Sequence, residues 1–297
     1  MAYETTISSV TEVVPAEVIS DLVMMYASNS AIVASTAREV QLQPYQGKTY
    51  NFPRLDKDTH TDITTEGTTS LANNELTFSE VSVTVAQIGL LREATKLMLR
   101  TQRLGPGMID LMARDAARLL TEAIEDDLVE LYSSITTSVG TTTLDLTVAQ
   151  IVQAIAEERK KLAVGQLVLS LHDQQLYDLT AGVVSSAASV WTGNANQSIV
   201  NGEANGQMVG SFMGIPVVYS TLNPTANTGA DVVGAIYPHG RSNPEIASIG
   251  LVMLWFAGME TDKNIALLTD KFAWSACYGC GLIDAGGYST KIVTDAP

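Results

Sequence analysis

Apolar positions along the chain alternate between a period of two and a period near four, and these switches divide it into an arm, a hairpin, helices and a strand-rich end. Ahead of residue 46, Pro15 can start a helix at Ala16, with Ile19, Leu22, Val23 and Tyr26 at helical spacing. Gly47 to Leu55 reads as a strand, with Tyr50 and Phe52 on one face and Thr49 and Asn51 on the other. Glu75 to Ala86 reads as its return strand. The apolar phase there shifts from Leu76 and Phe78 to Val81, Val83 and Val85, which predicts a β-bulge at Ser79 and Glu80. Between the two strands lies a Thr-rich stretch whose only large apolar residues are Ile63 and Leu71. It buries too little to fold on its own, so the whole is a long hairpin with a polar tip.

The strongest helical period runs from Met108 to Ile135, through Met112, Ala116, Leu120, Ile124, Leu128, Leu131 and Ile135. Asp110, Arg114, Arg118, Glu122 and Glu125 fill its other faces, and Gly105-Pro106-Gly107 marks its start. Such a helix would be about 42 Å long and would serve as a spine. A second helix spans Thr147 to Ala163, with Thr147 as N-cap and Ile151, Ala154, Ile155 and Leu162 as its stripe. Gln166 to Leu171 is a buried strand, followed by a helical turn from His172 to Leu179 and an Asn- and Gly-rich loop region from Ala181 to Ala204. Gly210 to Ser220 turns into a strand, and Asn223 to Gly229 is a further loop. Strands then follow at Ile249 to Phe256 and Ile265 to Leu268. Next, Phe272, Trp274, Ala276 and Tyr278 alternate with Ala273, Ser275, Cys277 and Gly279. The aromatic face is expected to cover a core, and the small face to lie close to a helix or another subunit. Gly286-Gly287 leads into a last strand, Tyr288 to Val293.

Charge narrows the function. A net charge of −15 leaves no basic stripe for reading nucleic acid. No segment reaches the roughly 18 apolar residues of a membrane span, and MAYETTISSV carries neither the basic nor the apolar region of a signal peptide. Cys277 and Cys280 stand three apart, so on a strand they face opposite sides, and the chain holds no further Cys to complete a zinc site. The acids of Glu125-Asp126-Asp127 splay around a helix and do not converge, which suits a solvated or inter-subunit face. There is no nucleophile elbow, P-loop or dinucleotide fingerprint. No catalytic residue, cofactor or metal is expected.

Four passages carry a resemblance: the turn Thr65-Glu66-Gly67, the run AARLLTEAIEDDLVELY from Ala116 to Tyr132, the run GQMVGSFMGIPVVYS from Gly206 to Ser220, and the closing KFAWSACYGCGLIDAGGYSTKIV. Their order and spacing, over essentially the whole chain, resemble the major capsid proteins of tailed double-stranded DNA phages. The resemblance implies an α+β HK-ninety-seven capsid fold. Residues 1–46 would be the N-arm, 47–86 the extended hairpin loop, 87–144 the peripheral domain with the spine helix, 145–240 the axial domain, and 241–297 the C-terminal strands of the peripheral domain. It further implies a non-enzymatic subunit that assembles with itself, as pentamers and hexamers, into the icosahedral head of a virion. Assembly would take place in the host bacterial cytoplasm, around DNA bound without sequence specificity and without a membrane. A portal protein and a cement or decoration protein are further partners of such a shell. No charged helical extension precedes the arm, so a separate scaffolding protein, or prior maturation, is implied. Glu4, Glu12, Glu17 and Asp21, in a stretch without Lys or Arg, are its candidate docking residues. Lys57, Asp62, Glu66, Arg92, Arg100 and Arg103 are the candidate inter-subunit contacts. Some relatives cross-link through a Lys–Asn isopeptide; Lys57 and Asn264 fall in the corresponding regions, but no catalytic Glu can be matched. The competing readings are an encapsulin-like compartment of the same fold and, from another class, a metabolic α+β enzyme.

Overall fold

The computed structural model describes residues 32–55, 78–97, 105–161, 165–186, 208–242, 244–265, 267–284 and 287–295. Two sheets and a separate two-stranded hairpin are arranged around one long helix. Short helix α1 (Val33–Thr36) leads into β1 (Arg38–Gln41). The hairpin is β2 (Thr49–Leu55) with β3 (Phe78–Thr84), and β4 (Ala86–Thr95) follows it directly. Helix α2 (Gly105–Glu130) runs on through a 3-10 turn, Leu131–Ser134. The first sheet has the order β1-β11-β12-β4, where β11 is Ile249–Asn264 and β12 is Thr269–Leu282. Its first pair is parallel and the others antiparallel.

The second sheet is mixed, in the order β5-β13-β10-β6-β8-β7. It contains β5 (Ser138–Val139), β6 (Leu167–Leu171), β7 (Met208–Phe212), β8 (Ile215–Tyr219), β10 (Asp231–Pro238) and β13 (Thr290–Asp295), and β9 (Thr225–Ala226) also pairs with β10. Helices α3 (Val148–Lys160) and α4 (Asp173–Ser186) cover one of its faces with Ile151, Ala154, Ile155 and Leu179. The expected N-cap is present: Thr147 accepts the Gln150 N–H, and the Gln150 side chain accepts the Thr147 N–H, a complete capping box.

The main core lies where α2 crosses both sheets. Ala116, Leu120, Ile124, Leu128 and Ile135 meet Phe272, Trp274, Ala276 and Tyr278 of β12, as the two periods predicted. Tyr132 reaches across to Tyr237 of β10, with ring centroids 5.8 Å apart.

Several expectations need correction. No bulge interrupts Ser79 and Glu80; they pair with Arg54 and Pro53 in a register that runs unbroken from Leu55–Phe78 to Thr49–Thr84. Ile265 to Leu268 is a turn and not a strand. The Asn264 side chain accepts the Leu267 N–H and Leu268 adopts φ 50, which closes β11 onto β12. The passage after Gly206 is a hairpin, β7 to β8, turning at Met213 and Gly214, both with positive φ. The helical turn after β6 extends to Ser186. The last strand, grouped by expectation with the other C-terminal strands, pairs with β10 and β5 in the second sheet. Strand β10 itself, buried at every position, went unread in the sequence. The run VVGAIY has no alternation, because α3 and α4 lie on one side of it and the main core on the other.

Candidate assembly surfaces

The hairpin is the element whose seat is most constrained. Phe52, fully buried, packs with Val83 and Val85 against Val252, Cys277 and Ile283 on the face of the first sheet opposite α2. Glycines make this approach feasible. A Cβ on Gly250 would lie 2.8 Å from the Phe52 ring, one on Gly279 would lie 2.5 Å from the Thr84 carbonyl oxygen, and one on Gly281 would lie 2.4 Å from Val83 Cγ2. The small-residue side of β12 thus meets the chain's own hairpin, where a helix or another subunit had been expected. Polar contacts fix the hairpin's direction. Arg54 donates to buried Asp284 at 2.7 Å, and the Arg38 guanidinium sits 5.3 Å from the centre of the Phe52 ring. Residues 56–77 therefore join two strand ends, Leu55 and Phe78, that are already paired.

Arg92 is the one inter-subunit candidate within the described residues. It projects from β4 and forms an ion pair with Asp115 of α2 in the same chain, both side chains being about two-fifths exposed. Lys57, Asp62, Glu66, Arg100 and Arg103 lie outside the described residues, as do Glu4, Glu12, Glu17 and Asp21. Sequence reasoning missed a second surface. The turn between β11 and β12 exposes Ile265 (81%), Leu267 (65%) and Leu268 (59%), and the Lys96 N–H donates to the Leu268 carbonyl, which brings exposed Leu97 to the same end of the sheet. An apolar tip of this kind marks a contact site more often than a solvated loop. Asn264 ahead of the run was the available signal, since Asn at that place initiates a turn.

The acids of α2 diverge, as their spacing required. Asp126 is exposed, and Asp127 accepts the Tyr278 hydroxyl at 2.6 Å. Glu125 was expected on a solvated or inter-subunit face and is instead buried. It accepts the Val33 N–H at 3.2 Å and the Ala34 N–H at 3.4 Å. Burial pushes its carboxyl up to about 7, against the lowering effect of those N–H groups. Glu158 is fully buried on α3 between Lys161 and Thr290. Its carboxyl is raised by desolvation, and the Lys161 ammonium, 3.0 Å away, opposes the shift. Cys277 belongs to the hairpin side of β12 and Cys280 to the α2 side. Burial pushes the Cys280 thiol up to about 12, which keeps it in the thiol form. Among the described residues no group of three or more His, Cys, Asp or Glu side chains is placed to hold a metal ion, and no helix is long and apolar enough to cross a membrane.

No protein-family model matches the sequence, and no curated protein matches it either. Solved structures do match the fold over nearly its whole length. One is from Mycobacterium phage Che8, with TM-score 0.63 and 12% identity, covering 89% of this chain and 91% of that one. Another is the capsid structure of the cyanophage P-SCSP1u, with TM-score 0.63 and 13% identity, covering 90% and 89%. A third is a virus-like particle from Pyrococcus furiosus, with TM-score 0.59 and 8% identity, covering 93% and 98%. The fold is that of phage capsid structures, the HK-ninety-seven-like α+β fold.

Proposed function

We propose that this chain is the major capsid protein of a tailed phage, a structural subunit that assembles with copies of itself into the icosahedral head around double-stranded DNA. The observation that carries this reading is the match at about nine-tenths of both chains to a phage capsid structure. On this reading β4, α2, β11 and β12 form the peripheral domain, and residues 145–240 with β13 form the axial domain that gathers around the five-fold and six-fold axes. Residues 56–77 lie over a neighbouring subunit, where Asp62 and Glu66 meet bases of the stretch that holds Arg92, Arg100 and Arg103. The apolar turn at Ile265, Leu267 and Leu268 supplies a further contact between copies. The head forms in the host bacterial cytoplasm with a separate scaffolding protein, a portal and a cement or decoration protein as partners.

Electron microscopy of the purified chain, alone or co-expressed with its scaffolding partner, tests the proposal. Closed particles of pentamers and hexamers are the expected result. A stable monomer under both conditions overturns it. Particles that enclose protein cargo in place of DNA move the chain to the compartment reading.

The arm supplies an independent test. Glu4, Glu12, Glu17 and Asp21 occur before the first Lys or Arg of the chain, Arg38, so they suit the docking of a basic scaffolding segment on the particle's inner side. Exposed charges are screened beyond about 10 Å at 0.1 M salt. Changing all four to the corresponding amides is expected to lower the scaffold content of procapsids and to flatten its salt dependence. Gel densitometry showing unchanged scaffold content defeats the assignment.

A further inference from the structure

Residues Val33 to Ala37 are gripped at the crossing of α2 and β10. Val33, Thr36 and Ala37 are all buried. The Thr36 hydroxyl donates to the Val33 carbonyl at 2.7 Å and meets the Tyr237 hydroxyl at 2.9 Å, and Tyr237 in turn lies 3.3 Å from the Tyr132 hydroxyl. The Gly240 N–H donates to the Thr36 carbonyl at 2.7 Å. Glu125 closes this cluster from the helix side by accepting the N–H groups of Val33 and Ala34. Of its helical neighbours, Glu122 and Asp126 are exposed while Thr121, Leu128 and Val129 are buried, so Glu125 stands at the edge of the helix's buried face, where the short segment lies against its carboxylate. The structure thus places a carboxylate under the point where residues 1–31 join the body.

We propose that Glu125 and the Val33–Ala37 segment form a pH-dependent latch, in which ionisation of Glu125 loosens the grip on the segment and protonation tightens it.

The sign follows from where the carboxyl is more acidic. Closed, Glu125 titrates at about 7, against an ordinary 4.5. Opening the segment returns it to water and to the ordinary value. The closed state therefore binds more protons than the open one, and its advantage is full below about 4.5 and is lost as pH rises to about 7. The backbone N–H groups of Ile32, Val33 and Ala34 do not reverse this, because desolvation outweighs them. The other titratable groups facing the site from neighbouring elements stay neutral throughout that window. Tyr132 is held well above its ordinary value by burial, Tyr237 is pushed up to about 12, and Cys280 on β12 to about 12. Asp126 and Asp127 on the same helix are the nearest further acids, and Asp127 is engaged by Tyr278. On the reading of the chain as a shell subunit, the latch sets how firmly the N-arm is held; the device itself does not depend on that reading.

Hydrogen exchange of the full chain tests the latch, measured on peptides covering 32–37 between pH 5 and 8 and corrected for the intrinsic pH dependence of exchange. The opening constant of that segment is expected to rise by up to about tenfold per pH unit between pH 5 and 7 and then level off. A peptide around Trp274 in β12 serves as the control and should show no such rise. Glu125→Gln keeps an acceptor for the Val33 and Ala34 N–H groups and removes the titration, so its profile is expected to be flat. A flat or falling wild-type profile overturns the proposal without need of any variant. A rise that persists unchanged in folded Glu125→Gln overturns it as well. Neither result bears on whether the chain builds shells, which microscopy reads separately.

Discussion

A subunit in which a short Gly-Ser bridge replaces residues 58–74 is expected to fold and stay soluble, yet fail to build a stable shell. The body supplies the reasons for the first half. The hairpin base is closed by its own strand pairing from Thr49–Thr84 to Leu55–Phe78. It is anchored by Phe52, Val83 and Val85 in a core shared with Val252, Cys277 and Ile283. Paired strand ends are close enough for a few residues to span, and shortening a loop lowers its closure entropy cost slightly. The deleted residues contain only Ile63 and Leu71 as large apolar side chains, so little burial is lost. Circular dichroism and melting temperature should therefore match those of the parent to within a few degrees.

The second half rests on the shell reading. An exposed ion pair made by Asp62 or Glu66 contributes about 0–1 kcal/mol. In a closed shell each subunit both gives and receives the contact, so small terms act together across the lattice. A loss of about 1.4 kcal/mol per contact already weakens each association tenfold. Particles should be absent from a sizing column, or should come apart on mild heating. Parent-like, heat-resistant particles would remove the hairpin from the list of intersubunit clamps and with it the main support for the proposed architecture.

Long periodic segments were legible in the sequence, and elements defined by what surrounds them were not. The stripe on α2 and the aromatic alternation on β12 each record one buried face, so the pattern survived as a period. The Thr147 cap was legible because its chemistry is local. Strand β10 was not, since a strand buried on both faces has no period to show. Glu125 looked like one more polar helix position, because a carboxylate covered by a distant segment looks in sequence like one facing water. The partner of the small face of β12 was missed for a related reason. Gly279 and Gly281 announce that something comes close, but only the three-dimensional arrangement shows that it is the hairpin.

That close approach gives the sharpest single-residue test. Gly279→Ala is expected to lower the melting temperature and impair assembly, while Gly281→Ala, two residues along the same strand, does much less. At Gly279 the added methyl would lie 2.5 Å from the Thr84 carbonyl oxygen and 3.0 Å from its carbon. Those are backbone atoms in a paired strand, so relief requires β3 to move and to carry the hairpin with it. At Gly281 the methyl would meet Val83 Cγ2 at 2.4 Å, and every other neighbour lies at 3.7 Å or beyond. A change of one side-chain rotamer relieves that contact at a smaller penalty. Overpacking of the first kind costs about 1–3 kcal/mol, and each kcal/mol lowers the melting temperature of a chain this size by roughly 2–4 °C. The shift is modest for folding but aimed at the seat of the hairpin, where Phe52 and the Arg54–Asp284 pair hold β2 and β3 against the first sheet. Assembly yield is therefore expected to fall more steeply than stability. Calorimetry and particle yield on the two variants decide it. Equal penalties at the two positions, or full assembly of Gly279→Ala, would mean that the tight packing of the hairpin base on β12 plays no part in building the shell.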